Sequence, residues 1–218
     1  MTRTDFLKAW KILKRQLKSL ETPWVENDAT QHRCPFRVLI ACIISLRTKD
    51  AVTEMVSKRL FNRAENLQEL SKLSVDEIEK LLYPAGFYRS KARIIKGICN
   101  HIQTHHNGHV PNTIDELLKI KGVGRKTANL VLTLGFGQDA ICVDTHVHRI
   151  PNRWGLINTQ KPEETEFALY KLVPRAYWRE INGCLVGFGQ GICKPISPLC
   201  SRCDISRYCK RIGVIKSR

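Results

Sequence analysis

The sequence predicts an all-α fold, and three observations carry that expectation. Apolar residues recur three and four positions apart in one segment after another. No stretch alternates apolar and polar residues for long enough to form a half-buried sheet. Glycines, prolines and capping residues punctuate the periodic segments at short intervals, so short loops between helices are the rule.

The elements follow in order. Phe6, Leu7, Trp10, Leu13, Leu17 and Leu20 share one face of a first helix. Phe36 to Leu46 is densely apolar and reads as a buried helix, although its valine and isoleucines also suit a strand. Asp50 is placed to cap the next helix, which carries Val52, Met55, Val56 and Leu60. Ser74 with Glu77 makes a capping box ahead of Ile78, Leu81 and Leu82, and Pro84 and Gly86 end that helix. Another helix, over about Ser90 to His101, stops before a polar His105-His106-Asn107-Gly108 turn. Asn112 or Thr113 starts a short helix through Ile114, Leu117 and Leu118. Gly122 and Gly124 break it, and a new helix runs through Leu134 to Gly135 and Gly137. Asp144, Pro162 and the region from Val173 to Tyr177 mark three further helix starts. There is no internal repeat and no low-complexity linker.

At 218 residues the chain makes one large domain or two small ones, and 43% apolar residues supply a real core. Lys and Arg number 36 against 20 Asp and Glu, a formal charge of 36 − 20 = +16. That exceeds what solubility needs and points to a polyanionic partner. Charge alone leaves DNA, RNA and anionic membrane open. Insertion into a membrane is not expected, because Phe36 to Leu46 is the longest mainly apolar run and a span needs roughly 20 residues. The N-terminus carries Arg3, Asp5, Lys8 and Lys11 and no apolar signal core, so the expected location is cytosol and nucleoid, or nucleus in a eukaryote, without secretion. A disulfide framework is then not expected, and Cys34, Cys42, Cys99, Cys142 and Cys184 read as structural thiols.

The stretch richest in chemistry reads I-K-G-V-G-R-K-T-A from Ile120, followed by V-D-T-H from Val143. Glycine at 122 and 124 permits positive φ and a close backbone approach. The helix start that follows exposes N–H groups to which a phosphate fits. Val123 is expected to pack inward and fix the turn, while Arg125 and Lys126 add charge. No G-x-x-x-x-G-K-[ST] loop is present, so this is not a nucleotide-binding loop. An ordinary helix–helix turn is the bland alternative. Lys126 is a candidate amine nucleophile, which must be neutral to attack and so needs a pKa below the usual value of about 10.4. Asp144, 18 residues later, can cap a helix and present an oxygen to manage protons or a developing sugar cation. On residue types alone, a phosphate-binding lysine and a plain capping aspartate remain open. His146 and His148 lie on different sides of their helix and read as packing or surface residues.

Cys193, Cys200, Cys203 and Cys209 form a compact group with a central C-x-x-C. Four thiolates at this spacing are a strong metal signal. All-sulfur ligation allows zinc or an iron–sulfur cluster, and spacing does not decide between them. Arg202, Arg207, Lys210 and Arg211 surround the ligands.

On L-x-x-I-K-G-V-G-R-K-T-A from Leu117, V-D-T-H-V-x-R from Val143 and the four-cysteine loop, the chain resembles the endonuclease III family of base-excision DNA glycosylases, in the helix–hairpin–helix superfamily. The resemblance covers about Phe36 to Cys209. It implies a six-helix barrel domain over 28–138 and a helical [4Fe–4S] domain made of 1–27 with 139–218, with a DNA cleft between them. It implies that Lys126 displaces the damaged base at C1′ and that Asp144 is its activating acid. Gly122, Val123, Gly124 and Arg125 would hold the phosphate backbone, and Cys193, Cys200, Cys203 and Cys209 would ligate a [4Fe–4S] cluster. The partner implied is damaged double-stranded DNA, bound by a monomer. The activity implied is a bifunctional glycosylase and AP lyase on oxidised pyrimidines. A thymine or uracil mismatch glycosylase and a non-catalytic helix–hairpin–helix binder are the alternatives. Relatives specialised for adenine or thymine mismatches usually lack a lysine at this position, whereas Lys126 is present here. One departure stands out. Bacterial members commonly read S-A-Q-A-T-D after the first buried helix, and their glutamine fills the space left by the extruded base. This chain reads S-L-R-T-K-D, with Arg47 in that place. Gln190 stands where many bacterial members carry arginine.

Overall fold

The computed structural model describes residues 1–17 and 24–218. Every regular element among them is helical. Leu20, assigned by its spacing to the first helix, lies outside the described residues. That helix, α1, is Arg3–Leu17, and it buries Phe6, Ala9, Trp10 and Leu13 along one stripe.

The chain divides into two compact units, Met1–Pro23 with Ile141–Arg218, and Trp24–Ala140. The Trp24–Ala140 unit holds α2 (Trp24–His32), α3 (Pro35–Ser45), α4 (Asp50–Arg63), α5 (Leu67–Lys72), α6 (Val75–Leu82), α7 (Tyr88–His106), α8 (Ile114–Lys119) and α9 (Arg125–Leu130). At its centre is α3. Val38 through Ile44 are all buried, so the segment is apolar on every face and is wrapped by its neighbours α2, α4, α7 and α9. This settles the helix-or-strand question for Phe36 to Leu46. The last turn after α9 widens into a π-helical segment, Val131–Gly135, which packs on α3.

Two helices of this unit carry little periodic signal. In α2 the apolar residues Trp24, Val25 and Ala29 are sparse, and the buried Asp28 is satisfied by Arg37 at 2.8 Å. The α5 helix has six residues and is set by its Asn66 cap, whose side chain accepts from the Glu69 N–H. The Ser74 box forms as expected. Ser74 Oγ accepts from the Glu77 N–H at 3.2 Å, and Glu77 Oε2 accepts from the Ser74 N–H at 2.8 Å. Such a cap is worth about 1 kcal/mol, enough to fix where a short helix begins.

Two boundaries differ from the sequence reading. Asp50 is the first residue of α4 and not its cap, which is Lys49; the Asp50 carboxylate instead accepts from the Trp24 N–H at 2.9 Å. The α7 helix runs on through His105 and His106 and ends where Asn107 turns left-handed at φ +50. The His101 and His105 rings stack with centroids 4.4 Å apart, so the helix face supports the histidines that composition assigned to a turn.

The other unit joins α1 to α10 (Thr145–Trp154), α11 (Pro162–Leu172) and α12 (Ile181–Gly191), followed by single 3₁₀ turns at Cys200–Arg202 and Ser206–Tyr208. Its core is Phe6, Trp10 and Leu13 from α1 with Ile150, Trp154, Leu185 and Phe188. Trp10 and Phe6 stack at 5.3 Å. The Trp10 indole N–H is satisfied by Glu180 Oε1 at 2.9 Å, so a large ring is buried without orphaning its donor. The helix start expected near Val173 to Tyr177 is a short 3₁₀ turn at Arg175–Tyr177, and α12 begins at Ile181. No helix among the described residues is long and apolar enough to cross a membrane.

Candidate functional site

The glycine turn is a hairpin between α8 and α9. Thr113 caps α8 through the Glu116 N–H, and the Val123 N–H closes on the Ile120 carbonyl at 3.0 Å. Val123 is buried and anchors the turn. The two glycines differ in kind. Gly122 holds φ +93, and a Cβ there would lie 2.6 Å from Ile94 Cγ2. Gly124 has φ −91 and caps α9, with open space where a Cβ would stand. Gly124 does not use the positive φ that glycine permits, and any residue can adopt its backbone. The Gly124 cap has no side chain to bond the first turn of α9. Gly122, Gly124 and Lys126 are exposed, and Arg125 is half-buried.

Lys126 stands on that first turn, rooted by the buried Thr127, Ala128 and Asn129. Beneath it lies Cys42 of α3. Burial pushes the Cys42 thiol up to about 12, against the opposing pull of the Lys126 charge. Cys42 is thus an inert thiol facing the lysine.

Asp144 belongs to the other unit and caps α10. Its Oδ1 accepts from the N–H groups of His146 and Val147, both at 2.8 Å. Oδ2 takes no part in the cap. One turn on, Arg149 Nη2 meets His146 Nδ1 at 3.1 Å and donates to the Cys193 carbonyl at 2.9 Å. The helix that Asp144 opens is thereby tied to the first residue of the cysteine loop. His148 Nδ1 pairs with Thr165 Oγ1 at 2.7 Å. Both histidines are packing residues within this unit.

Arg47 follows α3 with φ +52, and Phe87 precedes α7 with φ +57. Left-handed backbone costs a non-glycine residue about 1–2 kcal/mol, so the surroundings must impose it. The two side chains meet, with the Arg47 guanidinium 5.6 Å from the centre of the Phe87 ring. Phe87 is 63% exposed, a large aromatic held out to solvent. The sequence singles out Arg47 but not Phe87, which the structure places against it. An apolar residue directly after the Pro84–Gly86 breaker was the available signal.

The four late cysteines line one cavity, together with Arg153, Phe188, Ile192 and Pro198. None of them is in a disulfide. Burial, with the neighbouring thiols adding to it, pushes the Cys203 thiol up to about 11. A bound metal would stabilise the thiolate form of such a buried thiol. Cationic and N–H groups do face the sulfurs: Arg153 Nη1 lies 3.6 Å from Cys193 Sγ, and the Arg211 N–H lies 3.3 Å from Cys209 Sγ. Arg153 also clamps the loop through the carbonyls of Lys194 and Pro195, each at 2.6 Å. Among the described residues, no three His, Cys, Asp or Glu side chains converge on a single ion.

Residues 40–175 match the HhH-GPD superfamily of base excision DNA repair proteins. Endonuclease III of Thermotoga maritima is 49% identical over 176 residues, covering 81% of this chain and 83% of its own. Among solved structures, a trapped endonuclease III–DNA covalent intermediate superposes with a TM-score of 0.86 at 33% identity, over 97% of both chains. A thermostable thymine-DNA glycosylase follows with a TM-score of 0.81 at 26% identity, over 95% of both.

Proposed function

The chain belongs to the HhH-GPD superfamily and within it to the endonuclease III family of DNA glycosylases and AP lyases, and from that premise we propose that it removes oxidised pyrimidines from duplex DNA. The observation that carries this reading is an exposed lysine, Lys126, on the first helical turn after an uncapped glycine hairpin. Phosphate contacts at Gly122, Val123, Gly124 and Arg125 hold the backbone and carry no sequence information. The lesion leaves the stack, which costs a few kcal/mol and less where the pair is already weak. Arg47 and Phe87 then fill the gap, the ring as an apolar wedge and the guanidinium as a donor to the orphaned base.

The chemistry balances with this chain's own groups. The neutral Lys126 amine forms a bond to C1′ as the C1′–N bond to the base breaks, and the electron pair leaves with the base. Asp144 stabilises the sugar cation as it develops and manages the proton of the attacking amine. Opening of the sugar ring gives a Schiff base between Lys126 and C1′. That iminium acidifies C2′. Water or the departed base accepts a C2′ proton, and the 3′ phosphate is expelled by β-elimination, which cuts the strand 3′ to the lesion.

We assign Cys193, Cys200, Cys203 and Cys209 to a [4Fe–4S] cluster. Four cysteines line one cavity with Arg153 beside Cys193, and the family to which the chain belongs supports the cluster over zinc. These cysteines would hold a cluster that would cross-link the C-terminal loop, and the Arg149 contact to Cys193 would extend that hold to the helix capped by Asp144. We take Trp24–Ala140 as the barrel domain and Met1–Pro23 with Ile141–Arg218 as the cluster domain. The enzyme acts as a monomer wherever the genome is housed.

A panel of duplexes with different lesions and opposite bases, scored separately for base release and strand nicking, tests the substrate assignment. Oxidised pyrimidines should be released fastest, with borohydride trapping the protein on the product. A second reading, removal of thymine or uracil opposite guanine, is favoured by Arg47 in place of glutamine. Faster release from those mismatches than from any oxidised pyrimidine would establish it instead. A borohydride adduct on abasic DNA would exclude a pure binding module.

A further inference from the structure

Lys91 is the one buried lysine among the described residues, 4% exposed. It stands one turn into α7, and its ammonium turns inward to the end of α3. There Nζ donates to the Ile44 carbonyl and to Thr48 Oγ1, both at 2.6 Å. These two acceptors bracket Arg47 in the chain. The backbone N–H of Lys91 donates to the Phe87 carbonyl at 3.0 Å. Gly86 closes the junction, since a Cβ on it would lie 2.6 Å from the Arg47 carbonyl oxygen. The Arg47 turn and the Phe87 turn therefore press backbone to backbone, and one lysine holds a hydrogen bond to each.

No carboxylate forms an ion pair with Lys91 among the described residues. Burying an ammonium without a counter-ion is expensive, and a methionine would fill the same space without that desolvation. What methionine would lose is the pair of hydrogen bonds that fix the turn on either side of Arg47. Both side chains that emerge from the junction, Arg47 and Phe87, are held on left-handed backbone. Neither would stay there on local preference alone.

We propose that Lys91 is a positioning residue that fastens Arg47 and Phe87 into one wedge, so that base extrusion from duplex DNA depends on a side chain that never touches the DNA. The inference rests on the reading that Arg47 and Phe87 fill the gap left by the lesion.

The test uses full-length Lys91→Met and Thr48→Val, each alone and combined with Arg47→Ala. Two rates are read: single-turnover base release from an oxidised-pyrimidine duplex, and borohydride trapping on a single-stranded abasic oligonucleotide. Lys91→Met should slow duplex release about 10- to 100-fold and leave single-strand trapping within about twofold, because only positioning is lost. Thr48→Val should act in the same direction with a smaller effect. Added to Arg47→Ala, either change should cost almost nothing more, since residues that act through one another are not additive. Duplex release at the wild-type rate in Lys91→Met overturns the proposal. So does a loss that multiplies with that of Arg47→Ala, or single-strand trapping that falls in parallel. If Lys91→Met fails to fold, the Thr48→Val pair decides by the same criteria. Impaired Arg47→Ala beside an unimpaired Lys91→Met removes the lysine's role alone. Unimpaired Arg47→Ala removes the wedge and this inference with it.

Discussion

The steps proposed for Lys126 and Asp144 differ, and substitution separates them. Lys126→Ala removes the proposed amine, so borohydride trapping and enzymatic β-elimination should both vanish. Lys126→Gln should do the same and still bind damaged DNA, because the grip comes from backbone at Gly122 to Gly124. Asp144→Asn keeps an oxygen for the His146 and Val147 N–H groups, so the α10 cap and the fold should survive. Base release should fall by about 10²–10⁴, as expected for a lost acid–base and electrostatic group, while nicking of a preformed abasic site falls less. Single-turnover assays on lesion and abasic duplexes read this ordering, and equal losses on both would contradict it. Lys91 makes a pH prediction at the same scale. Burial lowers its pKa to about 8, below the value of about 10.4 for an unfolded chain. Between those values the unfolded state holds the proton and the folded state does not. The folded state therefore gains stability as pH rises through this window, by about 3 kcal/mol at most. Urea unfolding at pH 7 and pH 10 should show this gain in wild type relative to Lys91→Met; a constant difference between the two would refute it.

At the scale of elements, the hairpin and the cysteine loop each offer a paired test. Gly122→Ala meets both a positive φ and the Ile94 side chain, so it should lower the thermal midpoint and DNA affinity together. Gly124→Ala meets neither, so its midpoint should stay put while binding to undamaged and abasic DNA weakens alike. A fall in stability for Gly124→Ala as large as for Gly122→Ala would show that both glycines serve the turn. In the cysteine loop, the purified protein should be yellow-brown with about four irons and four sulfides per chain. Cys203→Ser should lose the iron and loosen the C-terminal segment, where the Arg218 N–H reaches the Pro198 carbonyl at 2.8 Å. Cys99→Ser, buried in the other unit, should keep the cluster intact. Stoichiometric zinc without iron, from cells given ample iron, rules out the cluster.

For the whole molecule the governing quantity is the charge of +16. Each phosphate neutralised releases counterions, so affinity for duplex DNA should fall steeply with salt, and removing one contact should lower the log–log slope by roughly 1. Fluorescence-anisotropy titrations across a salt series measure this; a salt-independent affinity would mean that the basic surface does not meet the backbone. Among the described residues the buried Lys and Arg are Lys91 and Arg153, which donate to carbonyl oxygens that fix a turn and a loop.

What the sequence determined by itself are the features whose causes lie within a few residues. The Ser74 box, the Gly-Val-Gly hairpin with Lys126 behind it and the Asp144 cap are each complete inside one or two turns of chain, and the four cysteines lie within 17 residues, so their signals survive in the linear order. Tertiary structure alone decided the rest. The α2 helix is held by packing and a buried ion pair, with little periodicity to announce it. Gly124 proved to need no special backbone, because the left-handed residue of the hairpin is Gly122. Phe87 and Lys91 acquire their meaning only where α7 meets the end of α3, through a hydrogen bond between residues 47 positions apart. A contact that spans such a distance depends on how helices pack, and packing is settled by the shapes and burial of many side chains together. No short window of sequence contains it.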